Sequence, residues 1–458
     1  MTNYEQYHQT FLDSPRKHIL NITNHGIHQW EIVPGLTDTG GQNVFVNQFS
    51  DELSAQGCKV TIINRGGYPH PISGEMRSGL HYKNANERIF YLEDGVKSFV
   101  RKEDMGEQIP DLKVALEEFL ISDGSVVDLM ISHYWDAALL GITYLEDQSE
   151  KIPHIWVPHS LGVYKKRSVS PESWPHLRVE ERIATEKQIV KQVDGIGATS
   201  GMIREMLAED YDYHGKVFWL PPCIDTNHFY PRQVDQNDPI WEFLGKHIDL
   251  PGEQVQSRKI ITEVSRSVAN KRKDILIKAY AGLKSDFPEA LLVVSIDKRE
   301  KELAQELFNL IEDLDMKGEV VPVGSIWDLL PILYAVTDIF CTPSDVEGFG
   351  MTPQEAAATK VPIVSSDGVP FATEFLLGTE VAVQVLPGNP ASSIKIGEGA
   401  IIVARGDVPG FTFALETLLL NDNLRHEMGE KAYRITIPEF TWEQVTKKFL
   451  IAAGVSTT

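Results

Sequence analysis

Short apolar runs alternate with amphipathic stretches along almost the whole chain, and this alternation limits what it can fold into. His18-Ile19-Leu20-Asn21-Ile22 reads as a strand. The segment after Gly40-Gly41 places Val46, Phe49 and Leu53 on one helical face and stops at Gly57. Val60 to Asn64, Val127 to Ile131 and His154 to Pro158 read as further strands. Strands that alternate with helices in this way imply a doubly wound parallel α/β sheet. The pattern restarts after Pro221-Pro222: a polar, proline-containing stretch from Asp225 to about Arg258 precedes runs at 259–264, 291–295, 319–323, 338–341 and 361–364. With 458 residues there is room for two cores of similar size. The expectation is two α/β domains joined near residue 223, with ligands beyond the carboxyl ends of the strands, in the cleft between them. Residues 385–404 carry glycine and proline without clear period and read as irregular.

The formal net charge of −22 argues against nucleic acid or an anionic membrane as partner. A phosphorylated ligand then needs a local basic pocket. Cys58, Cys223 and Cys341 are far apart and have no metal-ligand spacing, so they read as reduced thiols. Met1 to Arg16 is polar and no run of eighteen apolar residues exists, so the expectation is a soluble cytoplasmic protein.

Function shows most clearly in Pro343-Ser-Asp-Val-Glu347-Gly348-Phe349-Gly350-Met351-Thr352-Pro353-Gln-Glu355. Two carboxylates flank a Gly-Phe-Gly turn that leads into a helix. Glycines let backbone approach a ligand, and helix-terminal amides attract anions, while carboxylates accept hydrogen bonds from sugar hydroxyls. Together these suit a nucleotide sugar. The competing structural readings are a capping box, Thr352-x-x-Glu355 with Pro353 at the first helical position, and a solvated loop carboxylate at Glu347.

Other candidates also fall where strands end. Asp38-Thr-Gly-Gly41-Gln42 opens the first long helix without the dinucleotide fingerprint. His133-Tyr-Trp-Asp136 and His159-Ser-Leu-Gly162-Val-Tyr-Lys165 each follow a strand. Arg182 and Glu186, four apart on a helix, read by themselves as a surface ion pair. Ser265-Arg266 ends the first strand of the second half, and Asn270-Lys271-Arg272-Lys273 follows. There Arg266 offers a planar fork for phosphate and Lys271 a mobile point charge. Asp210-Tyr211-Asp212 reads as surface.

Taken in order, these motifs resemble the retaining glycosyltransferases of GT-B fold, most closely the sucrose-phosphate synthase group. The resemblance runs through Gly40-Gly41-Gln42, Phe99-Val-Arg-Lys102-Glu103, His133-Tyr-x-Asp136, His159-Ser-Leu-Gly-x-x-Lys165, Arg182-Ile-x-x-Glu186, Ser265-Arg266 with Lys271, and Glu347-x-Phe349-Gly350 with Glu355. It implies an acceptor domain over 1–222 and a nucleotide-sugar domain over 223–435. A final helix within 436–458, opened by Phe440-Thr-Trp442, would cross back to the first domain. It implies that Arg266 and Lys271 hold the donor diphosphate and that Glu347 binds the donor sugar near Gly348, Phe349, Gly350, Met351 and Thr352. Glu355 would bind the ribose and His159 would stand by the reacting carbon. Gly41 would touch both substrates, Gln42 and Asp136 the acceptor sugar, and Lys102, Lys165 and Arg182 an acceptor phosphate. The implied reaction is front-face transfer of glucose from UDP-glucose to a sugar phosphate such as fructose 6-phosphate. No metal or other cofactor is required, with Mg²⁺ at most a stimulator.

The chain departs from the group at Val369, Glu181, Cys223 and Val163-Tyr164. A mannosyltransferase that uses GDP-mannose and the same acceptor is the near alternative. Phosphorylases share the fold, and a sugar-binding regulatory module is the alternative of a different class.

Overall fold

Each half of the alternation closes into an eight-stranded sheet. In the computed structural model, residues 3–33, 36–324 and 326–456 are described; Met1, which opens the polar N-terminal stretch, lies outside them. Two compact units result, Met1–Pro222 with Trp442–Thr458, and Cys223–Thr441.

The first unit contains β1 (His18–Ile22), β2 (Lys59–Arg65), β3 (Gly79–Asn84), β4 (Glu87–Leu92), β5 (Leu129–His133), β6 (His154–Val157), β7 (Gly195–Ala198) and β8 (Val217–Trp219). They are ordered β3-β4-β2-β1-β5-β6-β7-β8 and are parallel except for β3 against β4. The second unit contains β9 (Lys259–Glu263), β10 (Ala290–Ser295), β11 (Val320–Val323), β12 (Ile339–Thr342), β13 (Ile363–Ser366), β14 (Ala382–Leu386), β15 (Asn389–Ile396) and β16 (Ala400–Val403). Their order is β11-β10-β9-β12-β13-β16-β15-β14, with β14 and β15 antiparallel. Strands β1, β2, β5 and β6 are buried along their whole length, which is why they read as mainly apolar runs without alternation. The strand order reverses between β1 and β5 in one unit and between β9 and β12 in the other. Crevices at the carboxyl ends of open α/β sheets form at such reversals.

Two expectations need correction, and one stretch given no elements above contains two helices. Residues 385–404 are not irregular. β14 and β15 form a hairpin that turns at Gly388 (φ +80°), and β16 is buried beside β13. β14 is exposed from Ala382 to Val385 and only Leu386 is partly covered, so it shows no inward–outward alternation. The polar stretch 225–258 contains helices Pro239–Lys246 and Gly252–Gln256, whose sparse apolar residues Ile240, Leu244 and Val255 pack on the β9–β10 side of the sheet. The strand placed at Val127 begins at Leu129 and runs to His133, which puts His133 at the strand's end.

The second unit runs to Thr441, and the helix Trp442–Ala453 completes the first. Trp442 stacks on Phe49 with centroids 5.8 Å apart and donates from Nε1 to Gln48 Oε1 at 3.0 Å. Phe449 meets Phe49 and Phe218, each at 5.4 Å. No helix of the described residues is long and apolar enough to cross a membrane.

Candidate active site

In the first unit the functional side chains gather at the carboxyl ends of β1, β5 and β6. Parallel pairing sets His133 opposite Val157, so the turns after these strands are neighbours. His133 Nδ1 and His159 Nε2 are 3.0 Å apart, and Phe45 stands edge-on to His159 at 4.9 Å. His159 has φ +54°, a left-handed conformation unusual for histidine. Burial and the nearby His25 push its ring down to about 3, and burial also holds His133 well below the usual histidine range. Both rings are therefore neutral. The Asp136 carboxylate is fully buried and paired to His25 Nδ1 at 3.0 Å. Gly41 begins the helix Gly41–Ala55, and Gln42 donates to Thr23 Oγ1 at 3.2 Å just beyond β1.

Next to this cluster lies a pocket lined by Lys102, Glu103, Tyr134, Trp135, Lys165, Leu177, Arg178, Glu181 and Arg182. The three cations expected from separate segments thus converge. Lys102 pairs with Asp38, and although burial opposes the charge, the Asp38 hydrogen bond raises the ammonium above its ordinary value. Arg182 and Glu186 are not a surface pair. Both are buried, with Arg182 Nε donating to Glu186 Oε1 at 2.8 Å and a second nitrogen to the Ser160 carbonyl at 2.6 Å. The Tyr134 hydroxyl also accepts from Arg182. Glu186 is the hub: it accepts from the backbone N–H of Gly162 at 2.8 Å and from the hydroxyl of Tyr211. Tyr211 is therefore interior, though it was expected at the surface, and Asp210 beside it pairs with Arg167 at 2.7 Å. Gly162 is required here, since a Cβ would come within 2.7 Å of Ile183 Cγ1.

Sequence reading missed Arg178. It caps the helix Val179–Ile189 with φ +46°, and its guanidinium reaches Glu107 at 2.8 Å and Glu181 at 2.9 Å. Its spacing of four from Arg182 was the available signal. His25 was missed as well, because a lone histidine after a strand carries no pattern.

In the second unit, Arg266 is exposed past the end of β9 and has no ion pair among the described residues. Lys271 is no mobile charge: it is buried and paired with Glu347, which also accepts from Ser344 Oγ at 3.0 Å. Glu347 is therefore not a solvated loop carboxylate. The capping-box reading of Glu355 also fails. Gly350, at φ +113°, precedes the helix Met351–Ala357 without a side-chain cap, Thr352 lies inside that helix, and Glu355 accepts from the Tyr334 hydroxyl at 3.3 Å. Burial pushes the Glu355 carboxyl up to about 8 against the effect of that bond. Phe349 is in the core with Phe371, Phe375 and Phe440, so only its backbone faces the Gly348–Gly350 turn. Val369 is buried against Gly350, where an added Cβ would meet it at 2.7 Å.

Residues 251–435 match the family described as Glycosyl transferases group 1, and residues 39–228 match Glycosyltransferase Family 4. The chain is 29% identical over 357 residues to mannosylfructose-phosphate synthase of Agrobacterium fabrum, covering 75% of this chain and 74% of that protein. It is 25% identical over 424 residues to D-inositol 3-phosphate glycosyltransferase of Corynebacterium jeikeium, covering 90% of each. The solved sucrose-phosphate synthase of Thermosynechococcus elongatus superposes with a TM-score of 0.73 at 21% identity, over 96% of this chain and 98% of that one. Both halves of the chain thus carry glycosyltransferase domains on a GT-B fold, homologous to those of mannosylfructose-phosphate and sucrose-phosphate synthases.

Proposed function

We propose that the protein is a retaining hexosyltransferase that moves glucose from UDP-glucose to a phosphorylated small acceptor such as fructose 6-phosphate. One observation carries the acceptor class. Lys102, Lys165, Arg178 and Arg182 line a single pocket in a chain whose net charge is −22, with Asp38, Glu107, Glu181 and Glu186 holding three of them in place. Cations from separate segments that converge against the chain's overall charge suit a phosphate dianion.

In this reading the acceptor phosphate rests on Lys102, Lys165, Arg178 and the remaining donors of Arg182, while Gly41 and Gln42 border its sugar. Asp136, being buried, acts through His25 rather than by touching the sugar. Arg266 and Lys271 take the donor diphosphate and neutralise the charge that grows on it as the glycosidic bond breaks, a stabilisation often worth several kcal/mol. They supply that charge without a metal ion. Glu347, steadied by Lys271 and Ser344, accepts from donor hydroxyls, and Glu355 accepts from the ribose. The acceptor hydroxyl attacks on the face the diphosphate leaves, and its proton passes to the departing phosphate, so configuration is retained. A mannosyl donor is the second reading, favoured by the 29% relative.

The test pairs UDP-glucose, ADP-glucose and GDP-mannose with fructose 6-phosphate, inositol phosphate and free fructose, and follows nucleotide release. Release should require a phosphorylated acceptor and be fastest with UDP-glucose. Lys165→Ala should raise KM for that acceptor about tenfold or more, the loss of one charge-assisted contact, with donor hydrolysis unchanged. Equal turnover with free fructose, or an unmoved acceptor KM in K165A, sinks the acceptor reading.

A further inference from the structure

The two rings at the ends of β5 and β6 make one unit, and their protons can be assigned. A contact of 3.0 Å between His133 Nδ1 and His159 Nε2 is a hydrogen bond, so one nitrogen carries a proton and the other a lone pair. Either His133 donates from Nδ1, or His159 donates from Nε2 and His133 keeps its proton on Nε2. His133 Nε2 decides between them, because it is buried and has no hydrogen-bond partner among the described residues. The second arrangement would strand an N–H donor there, whereas the first strands only a lone pair. Buried donors without partners are rarer than under-used acceptors. A shared extra proton is excluded by burial, reinforced for His133 by His159 and His28 and for His159 by His25.

We propose that His133 is a positioning residue that donates from Nδ1 to His159 Nε2 and so fixes the His159 ring as its Nδ1–H tautomer, presenting a hydrogen-bond donor to an oxygen of the bound sugar. Its position beside the sugar rests on the function proposed above; the tautomer assignment does not. Phe45 packs edge-on against the His159 ring and also meets His133 at 6.0 Å, and it in turn meets Trp442 at 4.9 Å. Its left-handed backbone is a local strain of the kind that persists where surrounding contacts over-determine it. With its Nε2 engaged by His133, the remaining polar atom of the ring is Nδ1. A proton there makes that atom a donor, fit to hold a sugar oxygen lone pair and unfit to act as a base. Free histidine favours the opposite, Nε2–H form, so the pairing imposes a state the ring would not choose by itself.

Nitrogen-15 NMR of the histidine rings in the intact wild-type chain at neutral pH reads the tautomer directly. His159, assigned by its loss in His159→Asn, should show a protonated Nδ1 and a bare Nε2; a protonated Nε2 overturns the proposal whatever the activity. Two variants then test the consequence. His133→Asn keeps an amide N–H at the place of Nδ1, and His133→Phe keeps the volume without it. H133F should convert His159 to the Nε2–H form and lower kcat on the order of tenfold with acceptor KM unmoved, and H133N should recover most of the loss. Equal kcat in the two variants also overturns it. If no nucleotide sugar is turned over, the reading of function fails while the NMR assignment still stands or falls on its own.

Discussion

Burial holds the Glu355 carboxyl protonated up to about pH 8, although it accepts from the Tyr334 hydroxyl. The same residue is read as a hydrogen-bond acceptor for ribose hydroxyls, a task that the ionised form performs better. These two facts set a pH dependence with a definite sign. The folded chain holds a proton that the unfolded chain releases near pH 4.3. Stability from this group is therefore complete below that pH and declines as pH rises through the window up to about 8. Glu355→Gln removes the dependence: the melting temperature of wild type should fall between pH 6 and 8.5 by more than that of E355Q. Donor binding runs the other way, since hydroxyl donors favour the carboxylate, and KM for the nucleotide sugar should fall from pH 7 to 9 in wild type and stay level in E355Q. Parallel pH profiles in the two proteins would remove Glu355 from the donor site. Lys271 and Glu347 show the same economy of charge, the cation proposed for the diphosphate being paired with the carboxylate proposed for the sugar.

At the scale of elements, the proposed acceptor pocket depends on how closely the segment Gly162–Ser168 approaches the helix Val179–Ile189. Glu186 ties them together through the Gly162 N–H, and the contact is too tight for a side chain at 162. Gly162→Ala must move Lys165 away from Arg182. Overpacking of this kind costs about 1–3 kcal/mol, so the melting temperature should drop by several degrees, with acceptor KM raised and donor KM unchanged. An acceptor KM equal to wild type would show that the junction does not set the pocket. Much of this element-level design was legible in the sequence. The glycine and lysine of His159-Ser-Leu-Gly162-x-x-Lys165, the Arg182–Glu186 spacing and the buried strands all carry periodic or motif signals. Three things were hidden for physical reasons. β14 is exposed on both faces and so has no alternation to read. Arg178 enters the pocket through a left-handed backbone, of which its spacing of four from Arg182 gives no hint. The burial of Arg182 with Glu186 depends on Tyr211, twenty-five positions downstream of Glu186 and joined to it only by the fold.

At the scale of the molecule, the first unit is discontinuous: the chain leaves it at Pro222 and returns at Trp442. The returning helix brings Trp442 and Phe449 to Phe49 and Phe218, and Trp442 also backs Phe45, the ring against His159. The first unit's core, and the wall behind its histidine pair, are therefore finished by residues more than two hundred positions after the rest of that unit. Truncating a buried phenylalanine costs about 3–5 kcal/mol, and in this arrangement the cost falls on the first unit although the change lies near the end of the chain. Phe449→Ala should lower the denaturant midpoint accordingly. Hydrogen exchange should quicken in β1, β2 and β8 while β9, β10 and β12 keep their protection. Because Phe45 supports His159, kcat should fall as well, even though Phe449 touches no substrate in the proposed reaction. A loss of protection spread equally over both sheets, or none, would mean that the second unit does not need separate stability and that the discontinuity of the first is only a matter of connectivity.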